Sequence, residues 1–173
     1  MRGLRRVAAT LVLVTSAFAT AAPALEPVPA PRFETRDVTG KPVSLAALLE
    51  QGPVVLDFWA TWCKPCVQSL PELEAIHQKF APRGATVIGI SVDSPRNFAR
   101  VRPFAQKLGL TFPVVLDQDE RLQQLFQVRG MPTTIVIAPD GRIVRARQGY
   151  LPGDAAAIEA ALDTLSHPAP ATP

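Results

Sequence analysis

Cys63 and Cys66 are the only cysteines in the chain, and two residues, Lys64 and Pro65, separate them. They follow the run Val54-Val55-Leu56-Asp57-Phe58-Trp59-Ala60-Thr61-Trp62, which reads as a strand delivering the pair to the start of a helix. A thiol at a helix N-terminus faces unpaired backbone N–H groups and the positive end of the helix dipole, and both favour the thiolate. The thiolate is the form that attacks disulfides, so type and spacing point to dithiol–disulfide exchange. Cys63, nearer solvent, is the candidate nucleophile; Cys66, one turn further in, is the candidate resolving thiol.

Two other roles for the pair are weaker. A structural staple closing about four residues contributes roughly 2 kcal/mol on the chain-entropy model, against roughly 3 for fifteen. A zinc site usually needs four ligands, and His77 and His167 sit singly and far along the chain. The Lys64 charge either favours the thiolate or is simply solvated. Pro65 restricts the turn and removes an N–H donor, so it should tune the redox potential. Asp57 is out of character in its strand, because a carboxylate among Val55, Leu56 and Phe58 should titrate high if buried.

Hydrophobic residues make up 47% of the 173, enough for one domain with a sizeable core. Arg2, Arg5 and Arg6 precede an uncharged run over 7–24 carrying Ala19-Thr20-Ala21, the pattern of a cleaved secretory signal peptide over 1–22. An uncleaved anchor is the other reading, but Thr15, Ser16, Thr20 and Pro23 interrupt a run at the short limit of the roughly 20 residues a span needs. Without 1–22 the chain loses three arginines and no acid, leaving 15 basic against 15 acidic residues. Such a neutral chain lacks the footprint of a nucleic-acid binder. The expected location is therefore outside the cytoplasm, in a bacterial periplasm, without lasting membrane insertion.

The elements that must position the pair lie between a flexible Pro/Ala leader (23–31) and a disordered tail (167–173). A hairpin over 32–37 and 42–45 turns at Gly40 and leads to a short helix over 45–50. A strand spans 53–59. Val67, Leu70, Leu73, Ile76 and Phe80 then recur at helical spacing over 63–80, with Pro71 expected to kink the helix. Strands at 85–92 and 111–116 alternate with helices at 95–108 and 120–126. Strands at 133–138 and 142–148 flank the turn Pro139-Asp140-Gly141, and a helix over 154–165 closes the domain. Alternation of this kind implies an α/β fold with a mixed central sheet covered on both sides.

Phe58-Trp59-Ala60-Thr61-Trp62-Cys63-Lys64-Pro65-Cys66, followed at distance by Gly130-Met131-Pro132-Thr133-Thr134, resembles the thioredoxin superfamily. The leading hairpin, Ser91-Val92-Asp93 and the helix after it resemble its exported TlpA/ResA-like branch. The resemblance covers 32–166 and implies a three-layer α/β/α sandwich with an N-terminal β-hairpin and an inserted helix–strand element. It implies that Asp57 is a buried acid relaying a proton to Cys66, and that Pro132 is cis, with Met131 opposite the cysteines and pairing with an extended client. Trp62 should shield the Cys63–Cys66 disulfide and offer an apolar contact surface.

The implied activity is that of an exported thiol:disulfide oxidoreductase, working as a reductant of client disulfides such as haem-attachment or copper-site cysteines. A membrane thiol reductase would be its electron donor. No cofactor or metal is called for, and the chain should be monomeric. Two alternatives differ in chemistry. A peroxiredoxin-like peroxidase needs threonine three residues before its reactive cysteine, where this chain has Ala60, with Thr61 one place out of register. A thioredoxin-fold copper-binding module would use the cysteines with a distant histidine, and neither His77 nor His167 is well placed for it.

Overall fold

The computed structural model describes residues 28–166. The signal-peptide reading of 1–22, the disordered-tail reading of 167–173 and His167 lie outside the described residues. Of the leader, residues 28–31 are described and are held by the sheet. Ile143 N–H donates to Val28 O (2.9 Å) and Ala30 N–H to Gly141 O (2.8 Å), so chain pairing begins before residue 32.

Strands β1 (Glu34–Arg36) and β2 (Pro42–Ser44) form the expected antiparallel hairpin. Asp37 closes its turn by accepting from Thr39 N–H, Thr39 Oγ1–H and Lys41 N–H, while Gly40 supplies the left-handed φ of +88°. Helix α1 (Leu45–Leu49) leads to β3 (Val54–Trp59), whose six residues are all fully buried. Helix α2 (Lys64–Phe80) follows and runs unbroken through Pro71. After β4 (Thr86–Ser91), a 3-10 turn over Pro95–Asn97 opens α3 (Phe98–Lys107).

Strand β5 is shorter than the sequence pattern implies, covering Val114–Leu116 alone. Thr111 is diverted from the sheet, because both its N–H and its hydroxyl donate to the Glu74 carboxylate of α2. Helix α4 (Arg121–Leu125) is entered through Asp119 and Glu120, both at φ 56°, and is capped by Asp117, which accepts from Leu122 and Gln123 N–H. Strands β6 (Thr133–Ile137) and β7 (Ile143–Gln148) form the second hairpin, and α5 (Asp154–Ser166) ends the described chain.

The main sheet has the order β5-β4-β3-β6-β7. Pairing is parallel between β3 and β4 and between β4 and β5, and antiparallel between β3 and β6 and between β6 and β7. The inserted α3–β5 segment thus supplies one edge, and the first hairpin covers that edge through Val38 N–H donating to Val114 O (2.8 Å). Period-two alternation divides β3 between two cores. Val55 and Trp59 face Leu70, Leu73 and Ile76 of α2, Val101 of α3 and Ile158 and Leu162 of α5. Val54, Leu56 and Phe58 face Phe33, Val43, Leu45 and Leu122 on the hairpin, α1 and α4 side. The result is the expected three-layer sandwich with β3 at its centre.

Candidate active site

The cysteine pair sits at the end of the most buried strand, where the backbone turns into α2. Cys63 is the N-cap residue of α2, and its Sγ accepts from Cys66 N–H at 3.3 Å, so the helix terminus directs a donor at this sulfur. The two are joined as a disulfide with a Cα–Cα distance of 5.3 Å. Cys63 is 6% exposed and Cys66 0%, so an approaching thiolate reaches Cys63 first. Lys64 and Pro65 are exposed in the first turn of α2, with no ion pair at Lys64 among the described residues. Proline falls where the helix needs no intrahelical N–H donor, so the turn forms without losing a hydrogen bond.

The segment feeding Cys63 is held from β4. Thr61 N–H donates to one Asp93 carboxyl oxygen (2.9 Å) and Thr61 Oγ1–H to the other (2.6 Å), while Ser91 Oγ–H donates to Asp93 as well (2.9 Å). Asp93 is 2% exposed, so this is an internal clamp rather than a surface contact. In the sequence Ser91-Val92-Asp93 marks only a family resemblance, and the clamp is not apparent from it. The available signal was a carboxylate two residues after a serine at the C-terminal end of a buried strand.

Trp62 is 63% exposed beside the disulfide and forms one wall of a groove whose other side carries Asp93, Ser94, Asp117, Asp119 and Glu120. The Met131–Pro132 peptide bond is cis. Met131 packs against the apolar cluster that contains both cysteines, so this loop and the disulfide share one end of the domain.

Asp57 lies fully buried on β3 between Val55 and Trp59, on the face turned toward Cys66 and α2. Thr134, its register partner on β6, donates from Oγ1 to Asp57 Oδ1 (2.8 Å), and Oδ2 has no partner among the described residues. Burial pushes the Asp57 carboxyl up to about 7, against the smaller opposing pull of the Thr134 hydrogen bond. Gly89 opposes Asp57 on β4, and a Cβ there would meet Phe112 Cε2 at 2.9 Å and Trp59 Nε1 at 3.0 Å. That close approach lets the Trp59 indole lie over β4, stacked on Phe104 at 6.0 Å.

A mixed sheet of this order with a CxxC pair capping the helix after its central strand is the thioredoxin arrangement, and residues 28–146 match the model of the AhpC/TSA family. The chain belongs to the AhpC/TSA family. Its similarity to the thiol-disulfide oxidoreductase ResA of Bacillus subtilis (strain 168) is 34% identity over 122 residues, covering 70% of this chain and 66% of that protein. The match thus spans just under two thirds of the relative's length. Among solved structures, a thiol:disulfide interchange protein of the thioredoxin family from Chlorobium tepidum TLS superposes with a TM-score of 0.72 at 27% identity, covering 83% of this chain and 99% of that one. Peroxidoxin BcpB from Mycobacterium tuberculosis superposes at 0.65 with 31% identity, covering 80% and 94%. The chain is thus similar both to proteins named as thiol-disulfide oxidoreductases and to one named as a peroxidoxin.

Among the described residues no group of three or more metal-ligating side chains includes the cysteines. His77 lies eleven residues beyond Cys66 on α2, about 16 Å along the axis at 1.5 Å per residue. It packs edge-on against Phe112 at 5.9 Å, and burial lowers its proton affinity more than neighbouring Glu74 raises it.

Proposed function

We propose that this chain is an exported thiol:disulfide oxidoreductase that reduces client protein disulfides. The observation that carries the reading is Cys63 at the N-cap of α2, closed onto a fully buried Cys66 whose sheet face also holds the buried Asp57. The ResA and thiol:disulfide interchange relatives support it.

In the reducing direction the Cys63 thiolate attacks a client disulfide, forming the Cys63–client bond and expelling one client thiolate, which takes a proton from solvent. Cys66 passes its thiol proton to the Asp57 carboxylate and attacks Cys63 Sγ. The Cys63–Cys66 disulfide forms, the second client thiolate leaves and is protonated, and two electrons have moved to the client. A dithiol donor, read here as a membrane thiol reductase, resets the pair. Client contact falls to Trp62 on one side and the Met131–Pro132 loop on the other, where main-chain pairing gives affinity with little sequence demand. Haem-attachment or copper-site cysteines fit as clients because both must be reduced before use.

The peroxidase reading has support from the family model and from BcpB. Against it, position 60 is alanine, and the Thr61 hydroxyl is committed to Asp93 at 2.6 Å. Purified protein should reduce insulin disulfides with a dithiol donor and lose this activity in Cys63→Ala. Consumption of hydrogen peroxide without insulin reduction would overturn the proposal. In the host, Cys66→Ala should accumulate client mixed disulfides on Cys63. Recovered cytochrome or copper-protein precursors support the reductant role, and a broad set of secreted proteins would replace it with an oxidant role.

A further inference from the structure

Four residues stand in register across the sheet: Gly89 on β4, Asp57 on β3, Thr134 on β6 and Arg147 on β7. Register partners on adjacent strands share a face, so these four make one row beneath α2 and α5. The two ends of the row differ. Toward β4 it is sealed by apolar matter, since Gly89 offers no side chain and the Trp59 and Phe112 rings close over it. Toward β7 it opens into a crevice between α2, β7 and α5.

Pro132, Thr134, Ser69, Glu72, Arg147 and Asp154 are among the residues lining that crevice. Its floor is apolar, with Leu73, Ile76 and Ile158, and its polar side chains are gathered on one side. Tyr150 Oη–H donates to Glu72 (2.7 Å), and Arg147 lies 3.6 Å from Asp154. Asp57 itself has no exposure and a single hydrogen-bond partner among the described residues, the Thr134 hydroxyl. Thr134 is only partly buried and is the residue that meets both Asp57 and the crevice.

We propose that Thr134 is the positioning residue through which the buried Asp57 exchanges protons with solvent, by way of the crevice between α2, β7 and α5. This rests on the reading of Asp57 as proton acceptor for Cys66. A hydroxyl carries one proton and two acceptor lone pairs, so it can pass a proton while ending unchanged. With Asp57 ionised, Thr134 donates to Oδ1 and leaves the unpartnered Oδ2 to take the proton from Cys66. Once the disulfide has formed, the carboxyl turns its proton to the side that meets Thr134 and gives it to Thr134 Oγ1 as Thr134 releases its own to water in the crevice, which restores the carboxylate, leaves Thr134 unchanged and puts one proton in solvent. When the dithiol donor reopens the disulfide, Cys66 leaves as a thiolate and the path runs in reverse, one proton passing from crevice water through Thr134 and Asp57 to Cys66. The disulfide face, where the client sits during resolution, is left out of the path.

The charged and titratable groups around this path are Cys66 and Glu72 from α2, Arg145 and Arg147 from β7, Asp154 from α5, and Tyr150 in the turn before it. At the Gly89 register β4 contributes none. Burial raises the proton affinity of Asp57, and the Thr134 hydrogen bond opposes it.

The test is stopped-flow resolution of a Cys63 mixed disulfide, and steady-state turnover, from about pH 5 to 9 in the full chain. Thr134→Val keeps the shape and removes the hydroxyl. It should slow resolution about 10-fold at neutral pH, move the inflection of the profile upward, and make turnover respond to added imidazole as a proton carrier. Thr134→Ser should restore the wild-type profile, and Glu72→Gln should leave the inflection in place. If Thr134→Val does not fold, Thr134→Ala carries the same expectation. A Thr134→Val profile that coincides with wild type, or Thr134→Ser as impaired as Thr134→Val, overturns the proposal. Asp57→Asn run alongside separates the two readings. A wild-type rate in that variant defeats the Asp57 relay itself, whereas slow Asp57→Asn with normal Thr134→Val defeats the Thr134 path alone.

Discussion

Thr61 and Asp93 form a two-point clamp in which the N–H and hydroxyl of one residue meet the two carboxyl oxygens of the other, at 2.9 and 2.6 Å. Thirty-two residues apart in sequence, they tie the segment entering Cys63 to the end of β4. Val92 N–H donating to Trp59 O (2.8 Å) reinforces the same junction. Cys63, the nucleophile of the proposed exchange, is therefore carried on a loop fixed at its base, while Trp62 on the outer side stays open to solvent.

Removing the clamp should cost both stability and catalytic geometry. Asp93→Ala leaves the partly buried Thr61 N–H and hydroxyl and the buried Ser91 hydroxyl without this acceptor, and buried donors left without partners cost about 1–3 kcal/mol each, less where water can reach. We expect a loss of about 3 kcal/mol in urea denaturation, with Asp93→Asn intermediate. A variant as stable as wild type would show that the clamp is dispensable.

The buried Asp57 makes stability fall as pH rises. Its folded value, raised from 3.8 to about 7, means that the native state holds a proton the unfolded chain has released over that interval. The penalty is absent below about pH 4, grows between 4 and 7, and is complete above 7, reaching up to about 4 kcal/mol at 1.36 kcal/mol per pH unit. Asp57→Asn should flatten this dependence and be the more stable form at pH 8. Paired urea titrations at pH 5 and pH 8 decide it, and parallel pH slopes for the two proteins would refute the burial argument.

The same substitution should harm the chemistry it spares structurally. Without an acceptor for the Cys66 proton, resolution in Asp57→Asn should slow about 100-fold at neutral pH, the low end of general-base contributions. The defect should fade at alkaline pH, where Cys66 ionises unaided. An unchanged neutral rate would sink the assignment.

Gly89→Ala should be among the costlier small changes in the domain. The added methyl would meet Phe112 and Trp59 at about van der Waals overlap, and neither ring can retreat from a filled core. A loss of about 1–3 kcal/mol with altered tryptophan fluorescence is expected. Unaltered emission and stability would mean that the Trp59 pocket is looser than described.

Trp62→Ala should act in the opposite way. The side chain is 63% exposed, so folding stability should change by less than about 0.5 kcal/mol. Its loss should raise KM for a protein client while leaving reaction with a small dithiol unaffected. Equal KM values for a protein client in the two forms would remove Trp62 from the contact surface.

Much of this was legible in the residues. The continuous apolar run 54–59 announced a strand covered on both faces, because only such a strand excludes polar side chains almost entirely. The stripe of Leu70, Leu73, Ile76 and Phe80 announced α2, and all four are buried against β3 and β4. The two cysteines announced the site. Where local pattern misled, a distant partner was the cause. The 111–116 strand shortened because Glu74 captures Thr111, and residues 28–31 are pinned by β7 although their composition resembles a leader.

By itself, then, the sequence determined the chemistry at Cys63 and Cys66, the alternation of strands and helices, and the presence of one acid in an apolar strand, because all three depend on near neighbours. The tertiary structure alone decided what that acid meets. Thr134, seventy-seven residues away, reaches Asp57 only because β6 lies antiparallel beside β3 in a register that sets them opposite. Asp93 becomes a clamp only because β4 ends level with β3. Register is a property of the whole sheet, so the hydrogen bonds that tune this site were invisible until the strands were laid side by side.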